Sequence, residues 1–253
     1  MSFSRFAVLV MLTVTLCVRT GLAQTELTIS AAASLKDVVV EIETVYQRSH
    51  AKITFANNLG SSGTLAAQIV QGAPVDLFIS AATGPMDEVE KNGLIIAGTR
   101  RNLLRNTLVL IAPLDSRLRD FHGLTDKSVR ILALGDPASV PAGHYGSQTL
   151  TELHLIDTLK TKFALAKDVR QVLTYVETGN ADAGIVYATD AMTSGRVRVV
   201  AVAPESSHDA IIYPAAVIVG GHKVAAASQF LEFLNSSEAH TIFRKHGFTI
   251  AAQ

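Results

Sequence analysis

Two serines stand where an apolar strand gives way to a helix: Ser34 in "ISAAASLKD" and Ser62 in "NNLGSSGTL". Their neighbours are small, and the first stretch carries no charged side chain before Lys36. A serine so placed has two chemical uses. With a histidine in reach it is a nucleophile. Without one, beside unpaired backbone amides, it donates a hydrogen bond to an anion. The residues favour the second use. No histidine lies beside either serine, and His144 is the only one near any junction considered below. "NLGSSGT" lacks the G-x-S-x-G spacing of a nucleophile elbow. The 8 histidines are scattered; His240 and His246 fall on different helix faces, and no H-x-x-x-H metal pair occurs. Neither a Walker A motif nor G-x-G-x-x-G is present.

Three more junctions share this character. "GDPASVPAGHYG" contains Ala142, "AKDVRQVL" places Asp168 to cap a helix starting at Val169, and in "GIVYATDA" Tyr187 ends a strand. In open parallel sheets such junctions gather at the carboxyl ends of the strands, where ligands bind. Helix starts there present unpaired N–H groups at the positive end of a dipole. Gly60 and Gly63 let consecutive amides converge. One serine before a helix is explained by an N-cap worth about 1 kcal/mol. Five such junctions, divided between two α/β sets, point instead to a shared cleft lined by neutral donors. A fully ionised oxyanion fits that lining because it has acceptors only. A protonated one would face a donor with its own O–H, at a cost of roughly 1–3 kcal/mol.

The elements that must position these residues alternate. "ELTIS", "KITFA" and "VDLFIS" read as short buried strands. Leu35–Tyr46 and Thr64–Gln71 read as helices, with Val38, Val39, Ile42 and Val45, then Leu65 and Ile69, at helical spacing. "GPMDEVEKNG" is a third helix, closed by Gly93. A second set follows: "NTLVLIAP", "VRILALGDP", a helix from about Gly146 to Leu155, another around Val169–Glu177, and "ADAGIVYATDA". "RVRVVAVAPE" and "IIYPAAVIVG" are extended. The closing helical segment buries Phe230, Phe233, Leu234, Ile242 and Phe243. The expected fold is α/β with two lobes, each a mostly parallel sheet flanked by helices, and a ligand cleft between them. Residues 24–106 plus 212–253 are expected to form the first lobe and residues 107–211 the second, with crossings near Asn106–Ala112 and Val200–Ile212.

A chain of 253 residues that is 48% hydrophobic can bury a sizeable core. Its 22 basic and 22 acidic residues cancel, which gives no long-range attraction to nucleic acid or an anionic membrane. Residues 1–23, with Arg5, the apolar run "FAVLVMLTVTLCV" and small Gly21 and Ala23, read as a secretory signal cleaved after Ala23. Cys17 lies inside it and follows Leu16, where a lipoprotein signal wants a small residue. The mature chain is therefore expected to lack cysteine, disulfides and zinc-thiolate sites.

In series, "AAASL", "GSSGTLAAQI", "GAPVDLFISA", "GDPASVPAG", "DVRQVL", "GIVYATDA" and "FRKHGF" resemble the molybdate-binding proteins that serve ABC importers. These are a branch of the two-lobed, type II periplasmic binding proteins, and the likeness covers essentially the whole mature chain. The resemblance implies a monomeric, non-catalytic periplasmic receptor that delivers molybdate or tungstate to an ABC permease and its ATPase. It implies no further cofactor, no nucleic acid and no stable membrane insertion. The oxyanion would be held by the hydroxyls of Ser34, Ser62 and Tyr187 and by the amides of Ser34, Ser62, Ala142 and Val169, with no direct metal ligand. Some members have a shorter loop where this chain reads "FANNLGSSG", which leaves Ser61 beside Ser62 as an alternative; Ser62 is favoured because it directly precedes Gly63-Thr64-Leu65. Two other readings stand beside this one: a sulfate or phosphate receptor, and a secreted hydrolase using Ser34 or Ser62.

Overall fold

The computed structural model describes residues 24–252. Residues 1–23, read above as a secretory signal and containing Cys17, lie outside the described residues. Eleven strands follow in chain order: β1 Thr25–Ala32, β2 Ile53–Gly60, β3 Leu77–Ile79, β4 Arg101–Arg105, β5 Leu108–Pro113, β6 Leu132–Gly135, β7 Phe163–Ala166, β8 Ala183–Tyr187, β9 Val197–Val202, β10 Ile212–Val217 and β11 Thr249–Ile250. The helices are α1 Lys36–Gln47, α2 Ser62–Val70, α3 Thr83–Lys91, α4 Pro141–Glu152, α5 Ile156–Leu159, α6 Val169–Glu177, α7 Ala188–Ala191, α8 Val224–Leu234 and α9 Ser237–Lys245.

The strands form two sheets, one in each lobe, with orders β11-β4-β10-β3-β1-β2 and β7-β6-β8-β5-β9. β1 runs parallel to both β2 and β3, and β6 runs parallel to both β7 and β8. β10, β4 and β11, and in the other sheet β5 and β9, add antiparallel pairs. The sheets are thus mixed rather than mostly parallel. The parallel triplets are built by helical crossovers, which parallel neighbours require; the chain reaches β5 and β10 by direct passes from the other sheet.

Local chemistry explains the helices that matter for the cleft. In α6, Val169, Val172, Leu173 and Val176 are buried at one-face spacing, and Asp168 accepts a hydrogen bond from the Gln171 amide at 2.9 Å as the N-cap. α4 begins at Pro141, five residues before the start near Gly146 expected from sequence. Proline suits the first helical position because its missing N–H would have no partner there. The apolar pattern is masked by Gly143 and Gly146, and Gly143 has a packing reason: a Cβ there would collide with the Gly135 backbone at the end of β6. A short 3₁₀ turn, Ala33–Leu35, joins β1 to α1. The C-terminal helices pack on the first lobe. Phe230 meets Tyr46 edge-on at a centroid distance of 5.0 Å, and Lys245 and His246 both reach Glu41 on α1. Phe230, Leu234, Ile242 and Phe243 are buried as expected, while Phe233 is only partly so.

Candidate functional site

Sheet register brings distant serines together. β1 and β2 align Ala32 with Gly60, so Ala33-Ser34 and Ser61-Ser62 leave the sheet side by side. β1 and β3 align Ala31 with Ile79, which sets Ala81 next to them. The second sheet repeats the device. β6 and β7 align Gly135 with Ala166, and the chain then enters α4 at Pro141-Ala142 and α6 at Val169. β8 ends at Tyr187, whose ring meets Tyr213 of β10 edge-on at a centroid distance of 5.9 Å. Ser34, Ser62, Ala142, Val169 and Tyr187 line one small cavity, about 10 Å³ to the centre of a water-sized sphere.

The hydroxyls are buried and their environments differ. Ser62 accepts a hydrogen bond from the Ala81 amide at 2.9 Å, so its own proton is free to point into the cavity. Ser61 is the N-cap of α2: it accepts from the Thr64 amide at 3.3 Å and donates to the Thr64 hydroxyl at 2.8 Å. Capping therefore engages Ser61 and leaves Ser62 available. Ser34 Oγ lies 3.0 Å from Tyr213 Oη. Tyr187 is 1% exposed; its buried hydroxyl has Tyr213 as a polar neighbour but makes no well-formed hydrogen bond in the protein. Burial raises its pKa well above the ordinary tyrosine value, so the group stays a neutral donor. An unpaired buried hydroxyl is costly, which marks it as a group awaiting an acceptor.

The backbone supplies the rest. Ser34 sits in the turn entering α1, Ser62 and Val169 are the first residues of α2 and α6, and Ala142 is the second of α4. First-turn amides lack an intrahelical acceptor and carry the positive end of the helix dipole. Among the described residues lining the cavity there is no Lys, Arg or His; the one carboxylic acid, Asp168, is the N-cap of α6. Arg170 is next in sequence to Val169, but its guanidinium is 2.7 Å from Asp190 and 2.6 Å from Asp37. Burial lifts the Asp190 carboxyl to about 7, with Arg170 opposing the shift.

Several contacts join the walls of the cleft, among them two near the helix starts. The Gly63 amide donates to the Ser139 carbonyl at 3.0 Å, and Arg170 on α6 reaches Asp37 on α1. A Cβ on Gly63 would lie 2.6 Å from that same carbonyl, so only glycine permits this approach without a shift. His144 does not line the donor cavity. It faces a larger, mostly apolar groove of about 850 Å³ between α2, α3 and α4. Neither Ser34 nor Ser62 thus has the histidine a hydrolase would need.

Sequence reasoning missed Tyr213, Asn106 and Ala81. Tyr213 reads as one more residue of an apolar strand, and its bond to Ser34 spans 179 positions. Ala81 acts only through its backbone, which carries no side-chain signal.

Two α/β lobes with a donor-lined cavity at the carboxyl ends of their strands define the two-lobed solute-receptor architecture. The chain belongs to the bacterial extracellular solute-binding protein family, whose model matches residues 27–249. It is 45% identical to the putative ABC transporter substrate-binding lipoprotein YvgL of Bacillus subtilis, over 88% of this chain and 86% of that protein. It is 42% identical to the molybdate-binding protein ModA of Escherichia coli, over 89% of each. Among solved structures, the periplasmic molybdate-binding protein of Azotobacter vinelandii superimposes with a TM-score of 0.80 at 24% identity, covering 89% of this chain and 100% of that one.

Proposed function

We propose that this chain is the molybdate receptor of an ABC importer, and that it also accepts tungstate. The observation that carries the reading is the cavity itself. Ser34, Ser62, Ala142, Val169 and Tyr187 line it with no Lys, Arg or His among the described lining residues, and the Tyr187 hydroxyl is buried there without a well-formed hydrogen bond in the protein. Such a lining stabilises a doubly negative tetrahedral ion through oriented dipoles, each bond to a charged acceptor contributing about 1.5–3 kcal/mol. The resemblance to named molybdate-binding relatives gives the ligand its identity among tetrahedral oxyanions. Ser34, Ser62 and Tyr187 would bind through their hydroxyls, and Ser34, Ser62, Ala142 and Val169 through their amides.

In this reading the protein is a carrier and does no chemistry on its cargo. The metal enters as the oxyanion and keeps its oxygens. The lobes divide at residues 106/107 and 211/212, and closing them on the ion creates the surface that an ABC permease, driven by its ATPase, recognises. Export by the N-terminal segment would place the receptor in the periplasm.

A thermal-shift series with molybdate, tungstate, sulfate and phosphate tests this. Molybdate and tungstate at about 100 times their Kd should stabilise the fold by roughly 2.7 kcal/mol. Stabilisation by sulfate or phosphate but not by molybdate would overturn the reading.

A further inference from the structure

Ser34 is held by a chain of hydrogen bonds whose direction can be worked out. The Asn106 side-chain carbonyl accepts from the Thr107 amide at 2.8 Å, which fixes the orientation of the side-chain amide. Asn106 Nδ2 therefore points the other way and can only donate: to Thr189 Oγ1 at 2.9 Å and to Tyr213 Oη at 3.1 Å. Tyr213 is fully buried, so its own proton needs an acceptor, and Ser34 Oγ at 3.0 Å provides one. Ser34 Oγ thus accepts from Tyr213, and its proton is left for the cavity. In the opposite arrangement, with Ser34 donating to Tyr213, the phenol proton would have to turn to the Tyr187 hydroxyl, with which no well-formed hydrogen bond exists, at a cost of roughly 1–3 kcal/mol.

Asn106 stands between β4 and β5, where the chain passes from one sheet to the other, and Thr189 and Tyr213 come from α7 and β10. The relay therefore begins at the crossing and ends in the cavity. We infer that Asn106, acting through Tyr213, sets the polarity of the Ser34 hydroxyl and so makes the site reject tetrahedral oxyanions that carry a proton. This rests on the oxyanion-receptor reading above. Asn106 and Tyr213 are positioning residues, since neither lines the cavity.

The relay can be reversed by one substitution. In Asn106→Asp, a carboxylate oxygen replaces the donor, Tyr213 donates to it and accepts from Ser34, and Ser34 Oγ turns a lone pair to the cavity. The probes are molybdate and monomeric orthovanadate at about pH 9.5. The two ions are similar in size and both doubly negative there, but vanadate still carries a proton. Competition calorimetry gives the ratio of their dissociation constants. The wild-type chain should favour molybdate by at least about a hundredfold. N106D should weaken molybdate binding, because it adds negative charge, yet lower the preference by about tenfold or more, the equivalent of roughly 1.4 kcal/mol. Tyr213→Phe is the second variant; it frees the Ser34 hydroxyl and should lower the ratio by a smaller factor. A merely structural role for these residues would weaken both ions alike and leave the ratio within about threefold of wild type; that result in the folded variants overturns the inference. If the wild-type chain binds molybdate no better than vanadate, the inference fails with it. Failure to bind any oxyanion would overturn the receptor reading itself.

Discussion

The two walls of the cleft offer the same kind of hydrogen-bond donor by different means. The first lobe contributes Ser34 and Ser62, whose hydroxyls are already oriented by Tyr213 and by the Ala81 amide. The second contributes Ala142 and Val169, whose side chains have nothing to donate, and Tyr187, whose hydroxyl makes no well-formed hydrogen bond in the protein. One wall adds side-chain hydroxyls to its helix starts, whereas the other relies on bare helix starts and the single hydroxyl of Tyr187. An anion site can thus be specified by topology as much as by residue type. A parallel triplet of strands, followed by helices, delivers bare amides to the same point whatever side chains stand there.

This contrast sets the order of the expected effects. Replacing Ser34 and Ser62 together with Ala removes two oriented hydroxyls. It should weaken molybdate binding by about a hundredfold or more, at roughly 1.5–3 kcal/mol for each bond to a charged acceptor, and should also lower the melting temperature of the ligand-free protein, because the Ala81 amide and the Tyr213 hydroxyl each lose a buried partner. Calorimetric titration of the double variant checks this; retained affinity would place the ion elsewhere. Gly63→Val tests how closely the walls must meet. The added side chain strikes the Ser139 carbonyl, so affinity should fall by about tenfold or more. The second wall is probed at Val169. Val169→Pro removes only the amide donor at a first helical position that suits proline, and should cost about tenfold in affinity. Val169→Ala keeps the amide and should stay within about threefold. Equal losses in the two Val169 variants would mean that the side chain matters after all.

The smallest effect concerns stability and contrasts the lobes again. Burial raises Glu43, on α1, to about 7, against the opposing hydrogen bond from Asn57. Asp190 in the second lobe is raised to a similar value but has Arg170 as a partner. Between the ordinary value of 4.5 for Glu43 and its raised one, the folded chain binds more protons than the unfolded chain. Stability therefore falls as pH rises through that window, and the penalty is complete above about 7. Glu43→Gln keeps the bond to Asn57 and removes the penalty. It should exceed the wild-type stability by roughly 1–2 kcal/mol at pH 8, with a much smaller gain at pH 5, by chemical denaturation. An equal gain at both values would show that ionisation is not the cause.

Much of this was legible in the sequence because strand ends and helix starts leave local marks. Asp168 before Val169 is a cap with its helix behind it, and Ser34 and Ser62 stand out against small neighbours. The start of α4 was less legible. Gly143 and Gly146 interrupt its apolar pattern, and the need for glycine at Gly143 arises from the distant Gly135 backbone. The antiparallel pairs of β10, β4 and β5 were also hidden, since pairing across the crossing segments is a long-range choice. Least legible was the support behind Ser34. Tyr213 and Asn106 carry no local signal, and their meaning comes only from the hydrogen bonds that join the two crossings.

The central claim is that uncharged donors alone hold the ion. Crystals grown with molybdate and measured at the molybdenum absorption edge test it most directly. The account predicts a single anomalous peak between Ser34, Ser62, Ala142, Val169 and Tyr187, with every ligand oxygen in hydrogen-bond reach of those hydroxyls and amides. A peak elsewhere, or a lysine or arginine nitrogen bonded to the ion, would contradict it.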